Sequence, residues 1–212
     1  MTDAAPMPTG DLLRLAQWLS PGFPLSAYAY SHGLEAAMAE GRVRDARGCE
    51  LWAASVLRLG SGALDAWAIR SVMRGAPARD VADTIAARAG SAERWEETRA
   101  MGHAFGATAE ALGAAGPERW PMPVALGLAA RGMAPAAVVA LYLQALAGQI
   151  VSAATRWLPL GQVEGQAVLA RLHPLIETLA AEDGSDPPGT AALSAEYDAM
   201  AHETLPARLF RT

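Results

Sequence analysis

Apolar residues recur along this chain at three- and four-residue intervals, and no stretch shows the alternating interval of a half-buried strand. That periodicity limits the chain to helices packed on helices. Composition agrees, because 49 of the 212 residues are alanine, the strongest helix former. Aromatic residues make up only 6%, so the helices are expected to approach closely through small side chains. A chain of this length suits one domain that buries roughly 70% of its unfolded surface. The expectation is an all-α, single-domain helical bundle of about nine to ten helices, with no internal repeat.

Punctuation along the chain divides that bundle. Leu12, Leu15, Ala16 and Leu19 follow Asp11, which reads as an N-cap. Pro21 to Ser31 is irregular, and a helix is expected from about His32 to Glu40, closed by Gly41. Asp45 and Ser91 read as caps of later helices, and Pro135 as a first-turn proline opening a helix to about Arg156. Gly60–Gly62, Pro117–Pro123 and Pro159–Gly161 read as breaks. Pro174 is expected to kink the last long helix. The resulting organisation is a flexible N-terminus over 1–10, a helical domain over 11–181, an acidic flexible linker over 182–196 and a terminal docking segment over 197–212. Leu205, Leu209 and Phe210 stand among charges in that last piece, which is either disordered or docked, on its own chain or on a partner.

Several function classes are disfavoured by what is missing. The chain has neither lysine nor asparagine, so it lacks a P-loop lysine for phosphate and a Schiff-base nucleophile. Its 17 cations are all arginines, scattered rather than striped, and net charge is −5, which argues against nucleic acid. One cysteine, Cys49, allows no intrachain disulfide and no paired-cysteine metal motif, and reads as a small buried residue. The start of the chain shows no basic region followed by an apolar stretch, and a cytoplasmic location is expected. Residues 132–155 carry no charge and are long enough to span a bilayer, but Gln144, Gln149, Tyr142 and Ser152 interrupt them. A buried helix is the expectation there, with a membrane-surface or small-ligand protein as the competing reading.

No Ser/His/Asp order and no glycine-rich phosphate motif stands out. The four histidines, at 32, 103, 173 and 202, share no i, i+4 spacing. A metal-dependent helical enzyme using His32, His103 and His202 is the alternative they leave open. Glu93, Glu96 and Glu97 with Arg94 and Arg99 read as a solvated helix face laced by i, i+3 pairs. Arg99 is set apart by its place beside Met101-Gly102, where two backbones can approach closely. The run Pro21-Gly-Phe-Pro-Leu-Ser-Ala-Tyr-Ala-Tyr-Ser-His-Gly-Leu-Glu35 is rich in contact groups and poor in charge, and reads as a recognition surface. The residues thus favour a helical interaction protein without catalytic chemistry.

Five segments occur in order: Pro21–Glu35, Glu97-Thr-Arg-Ala-Met-Gly102, Val151-Ser-Ala-Ala-Thr-Arg156, Pro159-Leu-Gly-Gln-Val-Glu-Gly-Gln166 and Met200-Ala-His-Glu-Thr-Leu-Pro-Ala-Arg-Leu-Phe-Arg211. Together they resemble the urease accessory protein family UreF, from about Leu12 to the end. The resemblance implies an all-α homodimer that is no enzyme. It implies a chaperone for nickel insertion into apo-urease, bridging UreD (also called UreH) and the GTPase UreG. No cofactor is expected to bind tightly, nickel being handled by the complex, and no nucleic acid or membrane is expected as a partner. His202, Glu203, Thr204, Arg208, Leu209 and Phe210 match the segment that docks on UreD. Tyr30, Ser31, His32, Gly33 and Glu35 match a motif assigned to a UreG-facing or dimer-facing surface. Arg99, Arg156 and Gln162 match further motif positions and serve either partner contacts or interhelix bonding. Two positions depart from the family pattern: Ser26 stands where glycine is usual, and Pro206 where an aromatic is usual.

Overall fold

A computed structural model describes residues 7–25, 30–114, 119–189, 191–203 and 209–210. Ten helices follow one another among them, with no strand. They are α1 (Thr9–Trp18), α2 (Leu34–Ala39), α3 (Ala46–Leu59), α4 (Ser61–Met73), α5 (Ala78–Ala87), α6 (Ala92–Ala111), α7 (Met122–Ala129), α8 (Pro135–Trp157), α9 (Gln162–Ala181) and α10 (Leu193–His202). The all-α expectation holds. Ser26, Thr204, Pro206 and Arg208 lie outside the described residues.

The local signals act largely as their chemistry requires. The Asp45 carboxylate accepts from the Gly48 amide at 2.8 Å, and the Ser91 hydroxyl accepts from the Arg94 amide at 3.1 Å, each satisfying an orphan donor of a first turn. Pro135 occupies the first turn of α8. Asp11 is not a cap: α1 begins earlier, behind Pro8, whose carbonyl accepts from the amides of Asp11 and Leu12. The helix expected from His32 starts at Leu34, because His32 and Gly33 are left-handed, with φ of 55° and 80°. α9 runs on through Pro174 as a single element.

α8 is the axis of the bundle and packs on α9, α4 and α3. Its 23 residues are long and apolar enough to cross a membrane by length and composition, but Val138, Leu143, Leu146 and Ile150 are buried in the core. α1 and the Pro21 segment are pinned to α6 by aromatic contacts, Trp18 edge-on to Phe105 at 5.7 Å and Phe23 at 5.8 Å from the same ring. Small residues set the tightest approach: a Cβ on Gly102 would lie 2.0 Å from the Trp120 carbonyl oxygen, so α6 meets the start of α7 backbone to backbone. Cys49 is buried, and burial pushes its thiol up to about 11.

The segment after α9 is strapped down rather than loose. Trp67 Nε1 donates to the Ser185 carbonyl at 3.0 Å, and Arg88 Nη1 to the Pro188 carbonyl at 2.5 Å. Arg74 reaches the Asp183 carboxylate at 2.5 Å and the Gly184 carbonyl at 3.2 Å. The amides of Ala191 and Ala192 then donate to the Leu59 carbonyl at 2.8 and 3.1 Å, closing the end of α3 and delivering the chain into α10.

Candidate functional site

α6 carries two buried polar networks, one turned to the core and one to the C-terminal segment. In the first, Arg94 lies between two carboxylates. Its Nη2 donates to Asp65 Oδ2 on α4 at 2.8 Å, and its Nη1 lies 3.2 Å from Glu97 Oε1. The Tyr142 hydroxyl on α8 donates to the same Asp65 oxygen at 2.7 Å. Burial pushes the Asp65 carboxyl up, opposed by the Arg94 charge and the Tyr142 hydrogen bond. Burial alone would lower the Arg94 guanidinium, but Glu97 and Asp65 outweigh it and raise it. The Tyr142 phenol is raised by burial and by the Asp65 charge.

His32 borders this cluster. Its Nδ1 lies 3.4 Å from Glu97 Oε1, and its Nε2 lies 3.4 Å from Gln149 Oε1. Burial pulls its pKa below the usual 6.5 more strongly than Glu97 raises it, so the ring is neutral at neutral pH. A cavity of about 530 Å3 opens between α1, α6, α8 and α9, and Arg156 and Gln162 stand in its lining. A smaller one of about 70 Å3 lies under α10. His32, Arg94, Glu97 and Thr98 wall both.

The second network holds the C-terminal segment. Glu35 Oε1 accepts from the Leu209 amide at 2.7 Å, and Oε2 accepts from the Phe210 amide at 3.0 Å. His202 is fully buried between two carboxylates, its Nε2 2.9 Å from Glu35 Oε2 and its Nδ1 2.8 Å from Glu93 Oε2. Glu203 Oε1 accepts from the amides of Ala92 and Glu93 at 3.1 and 3.3 Å, so the chain's end caps the start of α6. Arg42 pairs with the buried Asp198. The Arg156 guanidinium lies over the Phe210 ring, 4.5 Å from its centre.

α10 sits on glycines from three separate segments. A Cβ on Gly33 would lie 2.8 Å from the Ala199 amide nitrogen, on Gly60 3.1 Å from Ala192 Cβ, and on Gly90 2.9 Å from Glu196 Cγ. Tyr197, Met200 and Leu209 face outward, 61%, 49% and 71% exposed.

These placements correct two readings of the sequence. Tyr30, Ser31, His32, Gly33 and Glu35 are buried within the chain and do not form an outward recognition surface. Phe210 likewise turns inward, whereas Leu209 stays exposed. Glu93, Arg94 and Glu97 are not a solvated face: Arg94 and Glu97 enter the core cluster and Glu93 meets His202. Only Glu96 and Arg99 form the exposed i, i+3 pair, at 2.8 Å. The structure joins Glu35, His202, Glu203, Leu209 and Phe210 in one arrangement and leaves Arg99 apart from it. The histidines occupy separate surroundings, and among the described residues no group of three or more His, Cys, Asp or Glu side chains could hold a metal. Asp65, Arg94, Tyr142 and Glu93 were missed as site residues. A signal existed for Arg94 and Glu97, since their spacing to Met101 and Phe105 places them on the apolar side of α6.

The family model for UreF matches residues 43–173. The chain is also 51% identical over 206 residues to the urease accessory protein UreF of Cereibacter sphaeroides strain KD131, covering 95% of this chain and 98% of that protein. This chain belongs to the UreF family. The UreF of Jannaschia sp. strain CCS1 is 49% identical over 210 residues, covering 96% of each chain. That of Ruegeria pomeroyi is 40% identical over 218 residues, covering 95% of this chain and 96% of its own. These UreF relatives are named as accessory proteins rather than enzymes. Their similarity extends beyond the matched model on both sides.

Proposed function

We propose that this chain is a urease-maturation chaperone that serves nickel insertion into apo-urease by bridging UreD and the GTPase UreG, acting as a homodimer in the cytoplasm. Family membership supports the urease role. The observation that carries the docking part is the two-sided C-terminal segment. Its inner side is fixed by Glu35, Glu93 and Arg42, and its outer side presents Tyr197, Met200 and Leu209. A segment already ordered on its own body loses less conformational freedom on binding, so exposed apolar groups yield more net affinity. Tyr30, Ser31, His32, Gly33 and Glu35 contribute by shaping that segment from beneath. Arg99, exposed in its pair with Glu96, serves a second partner or the dimer mate, whereas Arg156 is engaged by the Ser152 carbonyl and the Phe210 ring, and Gln162 lines the larger cavity.

The test substitutes the outer face without disturbing the inner one. Tyr197→Asp with Met200→Asp should abolish co-purification with UreD while the helical circular dichroism is retained. In cells, the double variant should fail to restore urease activity to a strain lacking the chain. Wild-type co-purification and activity would reject the docking face.

A further inference from the structure

The core cluster and the C-terminal clasp, both built on α6, are joined a second time by a short stretch, residues 31–35. Within it His32 is, among the described residues, the single non-glycine residue with positive φ. A side chain in that conformation crowds the following carbonyl, so the surroundings have to hold it there. On one side of the backbone the imidazole is wedged, nearly inaccessible, between Glu97 and Gln149. On the other side Gly33, also left-handed, presses against α10 at Ala199. The next turn is tied locally, because the Ser31 hydroxyl accepts from the Glu35 amide at 3.3 Å. Glu35 then makes the clasp.

We propose that His32 is a positioning residue: its ring, lodged between Glu97 and Gln149, keeps residues 32–33 left-handed and so sets where the Glu35 carboxylate clasps the C-terminal segment. This deepens the docking reading and rests on it for its biological meaning, since the clasp decides whether Tyr197, Met200 and Leu209 are held in one arrangement. The physical claim stands on the isolated chain. Without the ring, residue 32 relaxes to negative φ. Gly33 then shifts from Ala199, and the carboxylate moves off the amides of Leu209 and Phe210.

Hydrogen–deuterium exchange of the full-length chain tests it without any partner. His32→Ala should exchange about tenfold faster at the amides of Glu196 to His202, the size expected from losing one held left-handed residue, while the α8 amides keep their protection. His32→Asn, which tolerates the left-handed region, should recover most of the protection. Equal acceleration in α8 and α10 would show an ordinary core residue and overturn the proposal. Unchanged α10 exchange would overturn it too, as would His32→Asn behaving like His32→Ala. Co-purification with UreD is a separate readout: normal binding by a loosened His32→Ala chain refutes the docking reading and leaves the positioning claim intact.

Discussion

The Asp65–Arg94–Glu97 cluster and the Glu35–His202–Glu93 clasp are both buried polar networks built on carboxylates, yet they join different things. The cluster ties α4, α6 and α8, all held together by apolar core as well. The clasp ties residues 202–203 and 209–210 to α2 and α6, where Phe210 and the alanines of α10 supply the apolar burial. Loss of the first therefore exposes uncompensated charge inside the bundle, while loss of the second frees an end. The same chemistry serves global stability in one place and local order in the other.

The largest expected effect separates the two outright. Arg94→Met leaves Asp65 and Glu97 buried without their shared cation, and should lower unfolding free energy by about 3–5 kcal/mol in urea titrations. A loss below about 1 kcal/mol would mean the carboxylates are already neutralised or solvated. Gly33→Ala tests the clasp side. Its Cβ meets the Ala199 amide at a left-handed position, and a cost of about 1–3 kcal/mol should appear chiefly as protease sensitivity after residue 190. Cleavage that remains as slow as in the parent chain would show that α10 can shift aside.

The link between the networks is open to pH. The His32 pKa is lowered from 6.5 in the folded chain, so the unfolded state takes up a proton first as pH falls. His32 thus contributes stability that is present above pH 6.5 and is lost progressively below it. The stability difference between the parent and His32→Gln, parent minus variant, should shrink between neutral pH and about pH 5.5 in urea midpoints. A constant difference would show the ring to be ordinarily solvated. The smallest effect belongs to Arg156→Ala, which removes the cation lying over the Phe210 ring. About 0.5–1 kcal/mol is expected, confined to amide exchange at the chain's end. An equal change in α8 would assign Arg156 to the core instead.

The sequence revealed what is locally encoded. Asp45, Ser91 and Pro135 mark helix starts because each acts on donors within its own first turn. Asp11 misled because Pro8 already supplies the accepting carbonyl one turn earlier. The α6 charges misled for a different reason: an i, i+3 ion pair looks the same in sequence whether it faces water or, as with Arg94 and Glu97, a carboxylate and a phenol from two other helices. The strapping of 182–189 was invisible because Trp67, Arg74 and Arg88 lie about a hundred positions away. The His32–Gly33 turn was hidden in a motif whose residues carry equally plausible surface chemistry.

The Glu203 carboxylate at the head of α6 has a practical consequence for deletion mapping. Cutting the chain before residue 191 removes more than an end. It strips Ala92 and Glu93 of their amide acceptor and leaves Glu35 and Glu93 without His202. The first turn that frays is the one bearing Arg94. A shortened protein that no longer binds its partners would therefore be a damaged body as well as a missing contact, and only substitutions on the outer face tell the two apart.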